Sequence, residues 1–250
     1  MQISFKKLPA SPTDGIALFW KFVIQAKSPV VIQDYFAPEL FFDYFFIKQG
    51  AVRYMAGAQG RAFKLPQQAL KTIQTRPLTF EFSTPLTMYG ARLSLPFAES
   101  FWGELKANQF VKQAWVEDDA GFESFAKQVT ARLKTHQRKK LAYPMLSSDL
   151  NESNWLTHYS ARHKRRLYAS VFGVSRTDLL NIRNVQLFLA QACDFASHSP
   201  RIIQHVNPDV FYDQPHLNRL FKKMTGFSPV GYFEVGSLLH YLLHMCFPTF

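Results

Sequence analysis

The stretch Phe211-Tyr212-Asp213-Gln214-Pro215-His216-Leu217-Asn218-Arg219-Leu220-Phe221-Lys222-Lys223-Met224-Thr225-Gly226-Phe227-Ser228-Pro229 decides how the second half of this chain is read. Leu217, Leu220, Phe221 and Met224 fall at i, i+3, i+4 and i+7, one apolar stripe of an α-helix that faces a core. Asp213 is placed to cap its start, and Pro215 suits a first turn, where a missing N–H costs little. Gly226 supplies the left-handed residue that commonly ends a helix. The remaining face carries Gln214, His216, Asn218, Arg219, Lys222 and Lys223. Gln, Asn and Arg are side chains that bond adenine or guanine edges in a major groove. Lysines suit phosphates, which fix position and not sequence.

An earlier stretch repeats this one. His163, Arg166-Leu167-Tyr168 and Gly173-Val174-Ser175 match His216, Arg219-Leu220-Phe221 and Gly226-Phe227-Ser228, every pair 53 residues apart. Repeated segments are usually repeated structural units. Here Arg162, His163, Arg165 and Arg166 stand over a stripe of Leu167, Tyr168 and Val171. Lys164 falls on the apolar side and has to snorkel along it or displace the helix. This copy is more basic and less well packed, which suits gripping a backbone more than reading bases. Asp178–Ala196, without Gly or Pro and preceded by Ser175 as a cap, reads as one long helix between the copies. Pro200 and Pro208 delimit a shorter one.

From about Leu150 to Phe233 the chain resembles the DNA-binding domain of AraC/XylS-type transcription regulators. The resemblance rests on Ser160-Ala161-Arg162-His163, Arg166-Leu167-Tyr168 and Gly173-Val174-Ser175, and more firmly on the stretch quoted at the outset. It implies two helix-turn-helix units joined by a long helix, with the second helix of each unit entering a major groove on one face of the duplex. By position the base-facing residues would be Arg162, Arg165, Arg166, Gln214, His216 and Arg219. His163, Asn218, Lys222 and Lys223 complete the expected DNA-binding set. The chain departs from the family pattern at Lys164, where leucine is usual, and at His158 and Val210, where glycine commonly turns the chain. Pro208 interrupts a supporting helix, and Asn184 and Leu187 stand where Arg is frequent. The departures leave an alternative open: a ligand-binding or protein-interaction module with a degenerate, weakly DNA-binding helix-turn-helix domain.

The first half reads as mostly β. Leu40–Ile47 and Ala51–Met55 flank Lys48-Gln49-Gly50 like the arms of a hairpin. Thr79-Phe80-Glu81-Phe82-Ser83 alternates apolar with polar, the period of a half-buried strand; Pro85 is expected to break it before Leu86–Leu95 resumes. Helices follow over Phe97–Leu105 and Ala120–Leu133. Residues 134–149 read as a linker, with Lys134, Arg138, Lys139 and Lys140 followed by Pro144. The expected fold class is α+β in two domains: a β-rich domain over 1–140, an all-α DNA-binding domain over 141–235, and an amphipathic closing helix over 236–250. More faintly, Val30–Ile47 and Met88-Tyr89-Gly90-Ala91-Arg92-Leu93 with Pro96 resemble parts of the β-rich, often cupin-like sensor domains that precede some AraC-type readers. That resemblance implies a small-molecule effector in this half and a homodimer. Tyr35, Phe36, Phe41, Phe42, Tyr44, Phe45 and Phe46 would line the pocket or, as is commoner for aromatics on strands, form core.

Composition bounds the partner. The chain has 250 residues, 47% of them apolar and 19% charged, with a net charge of +11. That favours an anionic partner, and double-stranded DNA is the one the repeat selects. Cys193 and Cys246 sit in apolar stretches as buried thiols, with no disulfide framework or zinc spacing. Met1–Lys7 lacks the apolar run of a signal peptide, and Leu238–Phe247 is too short to span a bilayer, so a cytoplasmic protein without membrane contact is expected. No phosphate loop, nucleophile elbow or HExxH occurs, so neither an enzyme nor a cofactor is expected. Glu117-Asp118-Asp119 reads as a turn, and His240 and His244, four apart, are better explained by the amphipathic closing helix of Leu238, Leu239, Leu242, Leu243 and Cys246 than by a metal site.

Overall fold

A computed structural model describes residues 1–10, 15–57, 61–99, 105–136, 159–192 and 211–235. The strands are β1 (Gln2–Pro9), β2 (Ile16–Gln25), β3 (Val31–Phe36), β4 (Phe42–Ala56), β5 (Phe63–Lys64), β6 (Gln68–Lys71), β7 (Leu78–Leu93) and β8 (Phe110–Lys112). They form one sheet in the order β1-β2-β7-β4-β6-β8, with β3 also on β7 and β5 also on β4. All pairings are antiparallel. The helices are α1 (Leu95–Glu99), α2 (Phe122–His136), α3 (Ala161–Phe172), α4 (Arg176–Ala192), α5 (Gln214–Thr225) and α6 (Pro229–Val235). The chain is therefore α+β, and the closing helix expected over 236–250 lies outside the described residues, as does most of the linker.

Two expectations need correction. Lys48-Gln49-Gly50 does not turn a hairpin; β4 runs through it and pairs with β7 from Phe42↔Leu93 to Ala56↔Leu78. Gly50 sits instead in a pair of register shifts at φ 88°, and a Cβ there would lie 2.4 Å from the carbonyl oxygen of Pro85. A ladder that long outweighs a local turn signal and absorbs it as a bulge. Pro85 does not end its strand either. Residues up to Ser83 pair with β3 and residues from Leu86 pair with β2, so the missing N–H falls at the changeover between partners.

The sheet buries both faces. One apolar cluster, including Trp20, Phe22, Phe45, Phe80, Phe82 and Met88, is drawn from the strands and Leu65 alone, so the sheet curls onto itself to enclose it. The opposite face, with Phe19, Tyr44, Phe46 and Tyr89, packs on α2 through Phe122, Phe125 and Val129. The phenyl ring of Phe125 lies 6.0 Å from that of Tyr44 and 6.1 Å from that of Phe19. The same cluster continues without a break into α3, α4, α5 and α6. The aromatics from Phe36 to Phe46 are thus core, and Tyr35 is the half-buried exception. Glu117-Asp118-Asp119 is a turn pinned from below: Gln68 donates to the Val116 carbonyl at 2.8 Å and to Asp118 Oδ1 at 3.1 Å. Tyr44 donates to Gln68 Oε1 at 2.5 Å, and burial pushes its hydroxyl up to about 12, which keeps it a donor.

Gly90 is where the curled sheet is tightest. A Cβ there would stand 2.0 Å from Cε2 of the Trp20 indole, which is itself 2% exposed. A rigid ring enclosed by Phe5 and Phe45 has nowhere to move. Gly90→Ala is expected to destabilise the chain by about 2–3 kcal/mol through overpacking, read as a lower urea midpoint at unchanged slope. An unchanged midpoint would mean that the indole yields.

Charge is also buried. The register sets Lys71, Asp43 and Arg92 side by side on β6, β4 and β7. Lys71 Nζ lies 2.6 Å from Asp43 Oδ2, Arg92 Nε donates to Asp43 Oδ1 at 3.0 Å, and Arg92 also pairs with Glu39. Burial pushes the Asp43 carboxyl up, and the Lys71 ammonium pulls it back.

Candidate nucleic-acid interface

The repeat is realised position by position. Ser160 caps α3 by accepting from the His163 N–H at 3.2 Å; Asp213 caps α5 by accepting from the His216 N–H at 2.6 Å. Gly173 and Gly226 end the two helices in the left-handed conformation, at φ 73° and 84°. Each donates its N–H to the carbonyl four residues back, Ala169 at 3.2 Å and Lys222 at 2.9 Å. The equivalence runs on into the next helices: Ser175 accepts from the Asp178 N–H, and Ser228 from the Gly231 N–H. Asp178 also accepts from the Ser175 hydroxyl at 2.6 Å, so α4 starts with a reciprocal cap two residues earlier than the sequence suggested.

Burial follows the two stripes. Leu167, Tyr168, Val171 and Phe172 are buried in α3, and Leu217, Leu220, Phe221 and Met224 in α5. Phe221 is wedged between Phe188 of α4 and Tyr232 of α6, with ring centres 5.6 and 5.5 Å away. The outward faces are correspondingly polar. Arg162, Arg165, Arg166, Gln214, Asn218, Arg219, Lys222 and Lys223 are all exposed. Neither helix contains an acidic residue, and among the described residues no carboxylate forms an ion pair with those six cations.

The two histidines behave differently from the rest of the expected set. His163 is half-buried, its ring stacked on Tyr159 at 4.7 Å. His216 is half-buried too, edge-on to Phe211 at 6.0 Å, with Nδ1 accepting from the Tyr212 N–H at 3.4 Å. Both clasp the residues that precede their caps, which limits how far either ring can reach outward. Aromatics immediately before each cap were the available signal. Lys164 lies on the buried arc of α3 and remains half-exposed, as a snorkelling side chain does. Tyr212 was not singled out from sequence, yet it is 93% exposed beside the start of α5. His158, Pro208 and Val210 lie outside the described residues.

Among the described residues no three His, Cys, Asp or Glu side chains gather into a metal-holding group, and no helix is long and apolar enough to cross a membrane.

No protein-family model matches the chain, and no curated protein matches it in sequence. Solved structures that resemble it include ToxT from Vibrio cholerae, at 12% identity and a TM-score of 0.44, covering 83% of this chain and 98% of that one. The AraC-like transcriptional activator CuxR matches at 11% identity and 0.30, over 73% of this chain and 80% of its own. The Escherichia coli ribosomal oxygenase YcfD matches at 11% and 0.26, over 52% and 41%. Similarity at this level assigns no activity or ligand to this chain.

Proposed function

We propose that the protein is a sequence-specific, DNA-binding transcription regulator of the AraC/XylS type, with α3 and α5 as the reading helices of two helix-turn-helix units. One observation carries the reading: two helices 53 residues apart share capped starts, stripes and terminal glycines, and both turn acid-free cationic faces to solvent, arginines on α3 and Arg, Lys and amide side chains on α5. Gln214, Arg165, Arg166 and Arg219 select bases; Arg162, Lys222 and Lys223 hold phosphates, and Arg165 and Arg166 also reach the backbone, which makes five phosphate contacts. Asn218 lies on the same face as Gln214, while His163 and His216 brace the helix starts. The β-rich half serves as the sensor or dimerisation domain. Its curled interior is filled by its own side chains; a groove of about 520 Å³ between β1, β2 and α2, lined by Leu8, Ile16 and Phe19 and rimmed by Glu123, Lys127 and Lys134, is one place for an effector.

Selection of bound sites from random DNA tests this reading. Two boxes about one helical turn apart are expected. Arg219→Ala is expected to weaken the selected duplex by about 1–3 kcal/mol and to relax preference at one position, whereas Lys223→Ala weakens all sequences alike. A second reading, a binding module with a degenerate reader, is favoured by Lys164 on the buried arc of α3. It predicts weak, sequence-independent binding that Arg219→Ala leaves unchanged.

A further inference from the structure

The ends of both reading helices rest on the β-rich half. Gly173 sits so close to the 105–109 loop that a Cβ would lie 2.5 Å from the Ala107 nitrogen and 2.8 Å from the Lys106 carbonyl carbon. Gly226, its counterpart, lies over Pro77, 3.6 Å from where a Cβ would be. Beside it, Phe227 meets Tyr35 of β3 edge-on at 5.0 Å. The two seats are not independent, because the loop before Pro77 and the loop around Ala107 are zipped together. Thr72 N–H donates to the Gln109 carbonyl at 3.0 Å, and Asn108 N–H to the Ile73 carbonyl at 2.9 Å. The Asn108 side chain accepts from the Thr75 N–H at 2.8 Å and donates to its hydroxyl at 3.0 Å. Asn108 does this from φ 59°, a conformation that non-glycine residues seldom adopt.

We infer that the paired loops 72–77 and 105–109 form a bracket that fixes the separation of α3 and α5, with Gly173 and Asn108 as its positioning residues. The inference rests on the two-reader reading above and adds to it: spacing between the boxes on DNA is set by the β-rich half as well as by α4. A two-point mount holds two rods at one distance, and losing one point lets that distance spread. The geometry supplies its own control. Alanine at Gly226 meets the same unfavourable φ as alanine at Gly173, but only an ordinary contact with Pro77. Gly173→Ala meets that φ and the backbone of Lys106 and Ala107 as well.

The test uses the full chain and the two-box duplex recovered by selection, with the spacer lengthened or shortened by one or two base pairs. Wild type and Gly226→Ala are expected to prefer one spacer. Gly173→Ala is expected to accept all spacers within about threefold and to lose about tenfold on the original, with affinity for a single box unchanged. Asn108→Gly keeps the backbone angle, removes the side-chain bonds and should shift the same way, which covers the case of a Gly173→Ala chain that does not fold. In parallel, spin labels on Arg165→Cys and Lys222→Cys, with Cys193 and Cys246 replaced by alanine, report the helix-to-helix distance without DNA. The distribution should broaden in Gly173→Ala and Asn108→Gly and stay narrow in Gly226→Ala. Unchanged distances and spacer preference in both bracket variants would overturn the inference. Broadened distances in a protein that selects no two-box DNA would keep the bracket and sink the two-reader reading.

Discussion

Raising monovalent salt from about 50 to about 200 mM is expected to weaken binding to the two-box duplex about 500-fold. Six cations stand on the outward faces of α3 and α5: Arg162, Arg165, Arg166, Arg219, Lys222 and Lys223. Each phosphate they neutralise releases condensed counterions, and about five such contacts give a slope of log affinity against log salt near −4.5. Among the described residues no carboxylate pairs with any of the six. Replacing Arg165 and Arg166 together by alanine should flatten the slope by about 2, and replacing Lys222 and Lys223 should do the same. Equal changes would place both helices on the backbone. If only the α5 pair moves the slope, the first unit does not touch the duplex, as its half-buried Lys164 would then explain. A slope shallower than about −2 leaves room for no more than two contacts and favours the degenerate reader.

How much of this was legible in the sequence depends on how local the cause was. Caps, stripes and terminal glycines act within one turn, so the roles of Asp213, Leu217, Phe221 and Gly226 are written in the sequence itself. The outward cations followed from the same helical arc. The long ladder of β4 could not be read, because Gly50 announces a turn to its neighbours while β7, some thirty residues on, decides that it becomes a bulge. The seat under Gly173 was invisible for the same reason: Lys106 and Ala107 carry no pattern of their own, and only the fold brings them to the helix end. The buried charges were half-announced. Asp43 is a lone acid inside the aromatic run Phe41 to Phe46, which is an improbable place for a solvated side chain, but its partners Lys71 and Arg92 depend on sheet register.

Asp43→Ala is expected to destabilise the chain by about 3–5 kcal/mol. The carboxylate lies between two cations, with Lys71 Nζ at 2.6 Å and Arg92 Nε at 3.0 Å, and all three residues are at most 1% exposed. Without it Arg92 keeps Glu39, but among the described residues Lys71 keeps only the face of the Phe36 ring, 4.5 Å from its nitrogen. A lone ammonium in that setting costs far more than a ring face returns. Desolvation already opposes the charged carboxylate, as the upward push on its titration indicates, so the network is a compensated cost more than a source of stability. The double variant Asp43→Leu with Lys71→Met removes both charges, leaves the Arg92–Glu39 pair, and should fall within about 1–2 kcal/mol of wild type. Urea unfolding of the single and double variants decides the matter: if the double is as unstable as the single, lost packing and not stranded charge is the cause. Glu39 follows Pro38, whose carbonyl accepts from Gln186 of α4 at 2.6 Å, so the charged row anchors the loop on which the spacer between the reading helices rests. Because Arg92 keeps Glu39 in both variants, the folded fraction of each should retain the two-box affinity of wild type.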